Sequence, residues 1–512
     1  MDSLTVDPPS SQTPTDAVRR TPPWIGAAAT TACCLVFLAL CWVLRGFVTD
    51  DSWISVRYAE NFAGGAGAVW NPGGPRAEGF SNPGLVYVEA LADAVGWSAM
   101  SAARVLGVLA GLACVVLVHR AGRAVVGDVA ATAGALLTAA SAPFALWAVG
   151  GLETTATAAV LTAAVLAVAR PGGGRPAVAA ALLALLPWLR PEGLVAALAV
   201  AGLSEGPALL RSATRAAAAR RLAVLAGVPV LSQAALEAVR FTVYGHWLPN
   251  SVLYKSGTGE TFGVALKFLD HSALVLGLAV VGVLLLRRRQ LLLAVPAVVY
   301  LAGSVGTLDS ANAFSRFFMP VWPQVALLAG VAVAAGARAA ARGARRPGPI
   351  AAALAVAVAA VVVVVMPGSV RDVGGWQQGY MGCRVAARED VARWLRTRTP
   401  PGTSFAISDA GYVPARAGGR TAIDNFMLND PLIQRTGPLS PSERADIVHE
   451  RRPDVLVLAS RDPERFDPVY PTERELREHP GAADFSLSHV GSGDLPCGYH
   501  LMVFQRSAGE TT

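Results

Sequence analysis

The chain is poor in the residues that build most enzymatic centres. Seven histidines and six cysteines are scattered through 512 residues, and none stand at metal-ligand spacings, so a Cys/His metal site is excluded. The histidines form no catalytic set either. No glycine-rich stretch ends in Gly-Lys-Ser/Thr, which removes the phosphate-cradling loop of nucleotide hydrolases. Charge is scarce too: 15% of residues are Asp, Glu, Lys or Arg, against 53% hydrophobic. Soluble domains carry about 25% charged residues, so an ordinary soluble protein is excluded. No internal repeat is detectable, which argues against a carrier built from two related halves.

What the chain has instead is apolar runs of about 20 residues, each long enough to cross a bilayer. The net charge of +7 does not point to nucleic acid, because the arginines cluster between these runs in the manner of cytoplasmic loops. Used as a ruler, Arg19-Arg20 before the run 24–48 place the N-terminus inside and Asp50 outside. The run 101–118 returns to Arg120 and Arg123, 129–149 leads out to Glu153, and the next run returns to Arg170 and Arg175. Residues 177–204 are interrupted at Arg190-Pro191-Glu192-Gly193. As a single span they would put Arg211, Arg215, Arg220 and Arg221 outside, so two half-depth helices meeting at the break are expected. Runs from 222 to 243, to Arg287-Arg-Arg289, to Asp309, from Pro320 to Arg338, and from 350 to 366 complete about eleven crossings. The polar, Pro/Ser/Thr-rich tail 1–23 reads as disordered and cytoplasmic, with no cleavable signal.

The expected architecture is a polytopic α-helical membrane protein of the plasma membrane. Its transmembrane domain, 24–366, carries a long first outer loop, 50–99, and an extracytoplasmic α/β domain, 367–512, follows. The polar constellations of the membrane half then share the outer face, where a site is expected. Foremost are Asp50 and Asp51, two carboxylates at the edge of a span, a costly placement without a task there. One of them would suffice to cap the following helix. Asp50, Arg57 and Asn61 share a helical face. In the loop, Trp70, Asn71, Arg76, Glu78, Phe80 and Asn82 lie among glycines and prolines, and 85–95 reads as an apolar helix on the membrane surface. In the terminal domain, strands are expected at 404–407, 454–458 and 499–505, and helices at 388–398 and 441–450. Ser408-Asp409-Ala-Gly411 and Ile423-Asp424-Asn425 follow strand-like runs and read as surface turns, with a pocket lining as the alternative. Cys383 and Cys497 are expected to pair in an oxidising exterior, while Cys33, Cys34, Cys41 and Cys114 sit in spans.

Taken in order, these motifs resemble a family. Asp50-Asp-Ser-Trp-Ile-Ser-Val-Arg-Tyr58, Val69-Trp-Asn-Pro-Gly73 and Glu78-Gly-Phe-Ser81 are followed by Gly151-Leu-Glu-Thr154 and Leu189-Arg-Pro-Glu-Gly193. Tyr244-Gly-His-Trp-Leu-Pro-Asn250 with Lys255, Ser315-Arg-Phe-Phe-Met-Pro320 and Ser408-Asp-Ala-Gly411 complete the series. Over residues 45–430 the chain resembles actinobacterial GT-C glycosyltransferases, most nearly the terminal β-(1→2)-arabinofuranosyltransferases of arabinogalactan and lipoarabinomannan synthesis. Trp53 and Asn82-Pro83 depart from the commoner residues at those places. The resemblance implies an enzyme of class EC 2.4.2 acting at the membrane, taking D-arabinofuranose from decaprenyl-phosphoryl arabinose to a cell-wall glycan. A lipid-linked sugar flippase, or a GT-C enzyme for mannose, is the alternative. Asp50 or Asp51 would act as base. Arg57, Tyr58, Asn71, Arg76, Glu78, Asn250, Lys255 and Arg316 would hold the donor phosphate and substrate, while Glu153, Arg190 and Glu192 would be structural. Two carboxylates also suit Mg²⁺ or Mn²⁺ bridged to a phosphate, but no third ligand accompanies them, so the metal is left open.

Overall fold

The computed structural model describes residues 23–170, 174–256, 263–303, 313–365, 370–495 and 497–507. The tail 1–22 and the turn at Asp309 lie outside the described residues. Five helices are long and apolar enough to cross a membrane: Trp24–Val43, Ala99–Val126, Arg215–Tyr244, Phe314–Ala340 and Pro347–Val364. Asp128–Ala139 and Ala142–Val149 form a sixth candidate, bent by 57°. The bend has a local cause, because Pro143 cannot continue the helix and Ser141 caps the second half by accepting from the Phe144 N–H. The remaining apolar helices are shorter, among them Thr154–Ala169, Pro176–Leu189 and Gly193–Leu209. The count of about eleven crossings therefore does not follow from helix length: five or six described helices meet that measure. The break at Arg190 falls where expected. Arg190 is extended ahead of Pro191, and a Cβ on Gly193 would strike the backbone at Leu186.

Two helices of the first outer region matter for the site. With α1 spanning Pro23–Val43, α2 covers Asp50–Ala63 and α3 covers Pro83–Ala94. Both begin as their residues dictate: two acids occupy the first turn of α2, and Pro83 opens α3.

The terminal domain is a five-stranded sheet of order β2-β1-β3-β5-β4, with β1 Ser404–Ile407, β2 Thr421–Asp424, β3 Val455–Ser460, β4 Phe485–Gly491 and β5 His500–Arg506. β1 pairs in parallel with β2 and β3, while β5 runs antiparallel to β3 and β4. β3 is buried along its whole length, which explains its unbroken Val-Leu-Val-Leu-Ala. A disulfide joins Cys383 to Cys497.

The first outer loop is not a separate flap. Val56, Tyr58, Ala59, Trp70 and Phe80 share one apolar core with Phe405, Ile407, Val413 and Val457 of the sheet domain. α2 is therefore sandwiched between the membrane helices and the sheet.

Candidate active site

The two adjacent aspartates face opposite ways. One residue on a helix is a turn of about 100°, and that rotation separates their fates. Asp50 points at the sheet domain, where its carboxylate accepts the backbone N–H groups of Gly411 (3.2 Å) and Tyr412 (2.9 Å). These groups start the short helix Tyr412–Arg416, so Asp50 caps a helix in the other half of the molecule. A Cβ on Gly411 would run into the Asp50 carbonyl oxygen, so the approach needs glycine. Arg388 stands 3.4 Å from the same carboxylate and binds Asp409 at 2.7 Å. Asp409 in turn accepts from the Tyr499 hydroxyl, and the Tyr380 hydroxyl accepts the Asp50 backbone N–H at 3.2 Å. Burial lifts the Asp50 carboxyl to about 6, Arg388 pulling it down and Asp409 and Asp51 pushing it up. Ser408, Asp409, Asp424 and Asn425 are all buried. The surface-turn reading of these loops is corrected: they close the joint between sheet and loop.

Asp51 faces the membrane helices. Its side chain keeps 44% of its surface exposed, and it holds Arg316 Nη1 at 2.6 Å. Arg316 is buried between the rings of Trp147 (5.4 Å) and Phe317 (5.7 Å), and its Nε finds no acceptor among the described residues. The guanidinium thus has donor capacity to spare beside a carboxylate that solvent can reach. The segment presenting it is strained: Phe314 and Ser315 adopt φ of 46° and 58° in succession. Non-glycine residues in that region cost on the order of 1–3 kcal/mol each, and such outliers cluster at working sites.

Behind this pair runs a buried polar chain. Ser55 of α2 donates to Asn82 (3.0 Å), Asn82 donates to Glu153 (2.9 Å), and Glu153 holds Arg190 (2.9 Å). Arg190 also pairs with Glu192 and lies 5.5 Å from the centre of Phe317, on whose ring Arg316 also rests. The broken helix is thereby tied to the residue next to Arg316.

Residues 376–502 match a family described as a domain of unknown function (DUF8728). No curated protein matches the chain. ArnT of Cupriavidus metallidurans, solved bound to undecaprenyl phosphate, superposes with a TM-score of 0.58 at 15% identity, covering 95% of this chain and 98% of its own. The oligosaccharyltransferase of Archaeoglobus fulgidus in the apo form gives 0.57 at 14% identity, covering 95% and 75%. The chain has the GT-C fold.

On this GT-C fold most of the other expected substrate contacts turn inward. Arg57 donates to the carbonyls of Trp70 (2.5 Å) and Pro414 and to Asn71 (2.8 Å), so it braces the loop against the sheet. Tyr58 is fully buried and donates to the Ala77 carbonyl at 2.7 Å. Asn71 grips both the N–H and the C=O of Ala422, at 3.2 and 2.8 Å, covering the edge of β2. Glu78 takes Arg240 through both oxygens, at 2.6 and 3.2 Å. Asn250 donates to the Leu428 and Asp430 carbonyls at 2.9 and 2.8 Å. Each is held by protein partners, which gives it a bracing role in this structure. Arg76 is exposed. The Lys255 side chain lies outside the described residues.

The shared face of Asp50, Arg57 and Asn61 exists: Asp50 and Arg57 meet the sheet domain on it, and Asn61 donates to the Val69 and Trp70 carbonyls of the loop. Arg388, Tyr380 and Tyr499 escaped the sequence reading because Arg388 and Tyr380 reach Asp50 across the domain boundary and Tyr499 reaches Asp409 from 90 residues away; the signal available was the Ser408-Asp409-Ala-Gly411 motif itself. No cluster of three His, Cys, Asp or Glu side chains occurs among the described residues. Asp50 and Asp51 diverge and do not form a joint ligand set.

Proposed function

We propose that this protein is a membrane glycosyltransferase that moves a sugar from a polyprenyl-phosphate donor to a glycan hydroxyl on the outer side of the plasma membrane. The observation that carries the reading is the solvent-reachable Asp51 carboxylate ion-paired to the buried, strain-held Arg316. The reaction needs both groups. The acceptor oxygen bonds to the anomeric carbon as the bond from that carbon to the phosphate oxygen breaks. The hydroxyl proton passes to Asp51, and the polyprenyl phosphate leaves with the electron pair. A phosphate arriving at Arg316 finds a desolvated guanidinium whose Nε lacks an acceptor among the described residues, and it competes with Asp51 for that cation. The GT-C fold supports the reading, since ArnT is a polyprenyl-phosphate-binding structure of the same architecture. The Cys383–Cys497 disulfide supports an exterior position for the sheet domain.

For the sugar we propose D-arabinofuranose, from decaprenyl-phosphoryl arabinose to an arabinan-type cell-wall acceptor, on the strength of the motif series quoted above. The test is to incubate the purified protein in lipid nanodiscs with a panel of prenyl-phosphate pentoses and hexoses and defined oligosaccharide acceptors, then determine product linkage. Transfer of arabinose alone supports the full reading, and transfer of mannose alone replaces the sugar. Donor movement across vesicles without any transfer overturns the enzyme reading in favour of a flippase. If the product keeps the donor's anomeric configuration, Asp51 acts by stabilising an oxocarbenium-like state instead of accepting the proton.

A further inference from the structure

A cavity of about 450 Å³ opens between the first outer loop and the edge strand β2. Its lining includes Trp70 and Asn71 from the loop and Asp424, Asp430, Arg435 and Arg451 from the sheet domain. Cavities of about 300–1,000 Å³ are the size that holds small ligands. None of the chemistry assigned to Asp51 uses this one.

We infer that the cavity is a saccharide subsite that holds the acceptor glycan behind the sugar that reacts, an inference that rests on the glycosyltransferase reading above. The lining fits a neutral, hydroxyl-rich ligand. Two aspartates and two arginines balance in charge. Asp430 is paired with Arg451 and also accepts the Leu432 N–H at 2.9 Å. Asp424 is filled by the Phe426 N–H and by both nitrogens of Asn429, at 2.8 to 3.0 Å. No unbalanced pair of cations is therefore left to select a phosphate. Guanidinium N–H groups and the remaining Asp430 lone pairs are left, and a sugar hydroxyl both donates and accepts.

The wall at Asn71 is tied down on both sides by hydrogen bonds. Asn71 is locked onto Ala422 and onto Arg57, so the site is held in shape by groups that do not themselves need to move. The placement follows from α2. Asp51 lies in its first turn, and Arg57, six residues or an axial rise of about 9 Å along the helix, touches the cavity wall at Asn71. A polymer whose terminal hydroxyl reaches Asp51 on one side of α2 has to pass around that helix to set its preceding units in the cavity on the other.

The test uses the full-length protein and a series of arabino-oligosaccharides, from disaccharide to hexasaccharide. Wild type is expected to show an acceptor KM that falls with length. In Arg435→Ala, and in Thr421→Trp, which fills the cavity from its rim, that preference collapses. KM for the longest acceptor rises about tenfold, the loss of one or two hydrogen bonds, with the donor KM unmoved. Saturation-transfer NMR of the hexasaccharide on Asp51→Asn protein reads binding without turnover, so the inference is tested even if no transfer is found in wild type. Loss of those signals in Thr421→Trp supports the subsite. Equal effects on short and long acceptors, or unchanged NMR contacts in both cavity variants, overturn it. Displacement of the hexasaccharide by millimolar inorganic phosphate reassigns the cavity to an anion.

Discussion

Asp50→Asn and Asp51→Asn should fail in different ways, though the residues are neighbours. Asn at 50 keeps one acceptor oxygen, so either the Gly411 or the Tyr412 N–H loses its partner, and the new amide faces a donor. A buried N–H left unsatisfied costs about 1–3 kcal/mol, and the lost charge beside Arg388, whose side chain is 4% exposed, adds to it. The sum is about 2–4 kcal/mol against the joint between loop and sheet, or roughly 5–15 °C in melting temperature. Asn at 51 replaces a 44% exposed member of an ion pair and still accepts from Arg316, so its cost is about 0–1 kcal/mol. Removing a general base, by contrast, lowers transfer by about 10²–10⁴. The assay pairs thermal unfolding of detergent-purified protein with radiolabelled sugar transfer. Asp50→Asn is expected to melt early and keep residual turnover in proportion to folded protein. Asp51→Asn should melt like wild type and be inactive. A normally melting but inactive Asp50→Asn, together with an active Asp51→Asn, would refute the assignment.

Four further outcomes are expected. Glu473 is buried in the sheet domain, and burial lifts its carboxyl to about 8. The folded state therefore retains a proton that the unfolded state releases near pH 4.5, so this contribution to stability is complete below that pH and is lost as pH rises through about 8. Chemical denaturation between pH 5 and 9 should show that decline, and Glu473→Gln should flatten it. Cys383→Ser should lower sheet-domain stability by about 2–5 kcal/mol, read as earlier proteolysis of residues 370–507 under otherwise native conditions. Gly411→Ala places a Cβ against Asp50 and should reproduce the early melting of Asp50→Asn with α2 otherwise intact. Ser315→Gly relieves a left-handed residue and should leave melting unchanged or higher, while loosening Arg316 and raising the donor KM several-fold.

Local chemistry made several elements legible. β1 and the helix Pro441–Glu450 stand where expected, the latter announced by Ser440 and Glu443, which cap one another. The helix break at Pro191 follows from proline, whereas the bend before Pro143 divides a run, 129–149, that reads as a single span. β4 was missed because Phe-Ser-Leu-Ser-His-Val-Gly is an irregular edge strand whose side chains are largely exposed, with no apolar run to mark it. Of the site, the motifs were visible but their directions were not. Arg57 and Glu78 look like substrate ligands in a list of charges, and only the packing of loop on sheet reveals that each is already satisfied. The same blindness hid the difference between positions 50 and 51, which depends on which body lies on either side of α2.

That one-residue division limits how this molecule can be rebuilt. Exchanging the terminal module for another would have to reproduce two main-chain hydrogens at the spot now occupied by Gly411 and Tyr412. A transplant lacking them would leave the carboxylate at position 50 stranded and let the helix turn on its axis. The acid next door would swing away from its arginine, although neither residue of that pair had been altered.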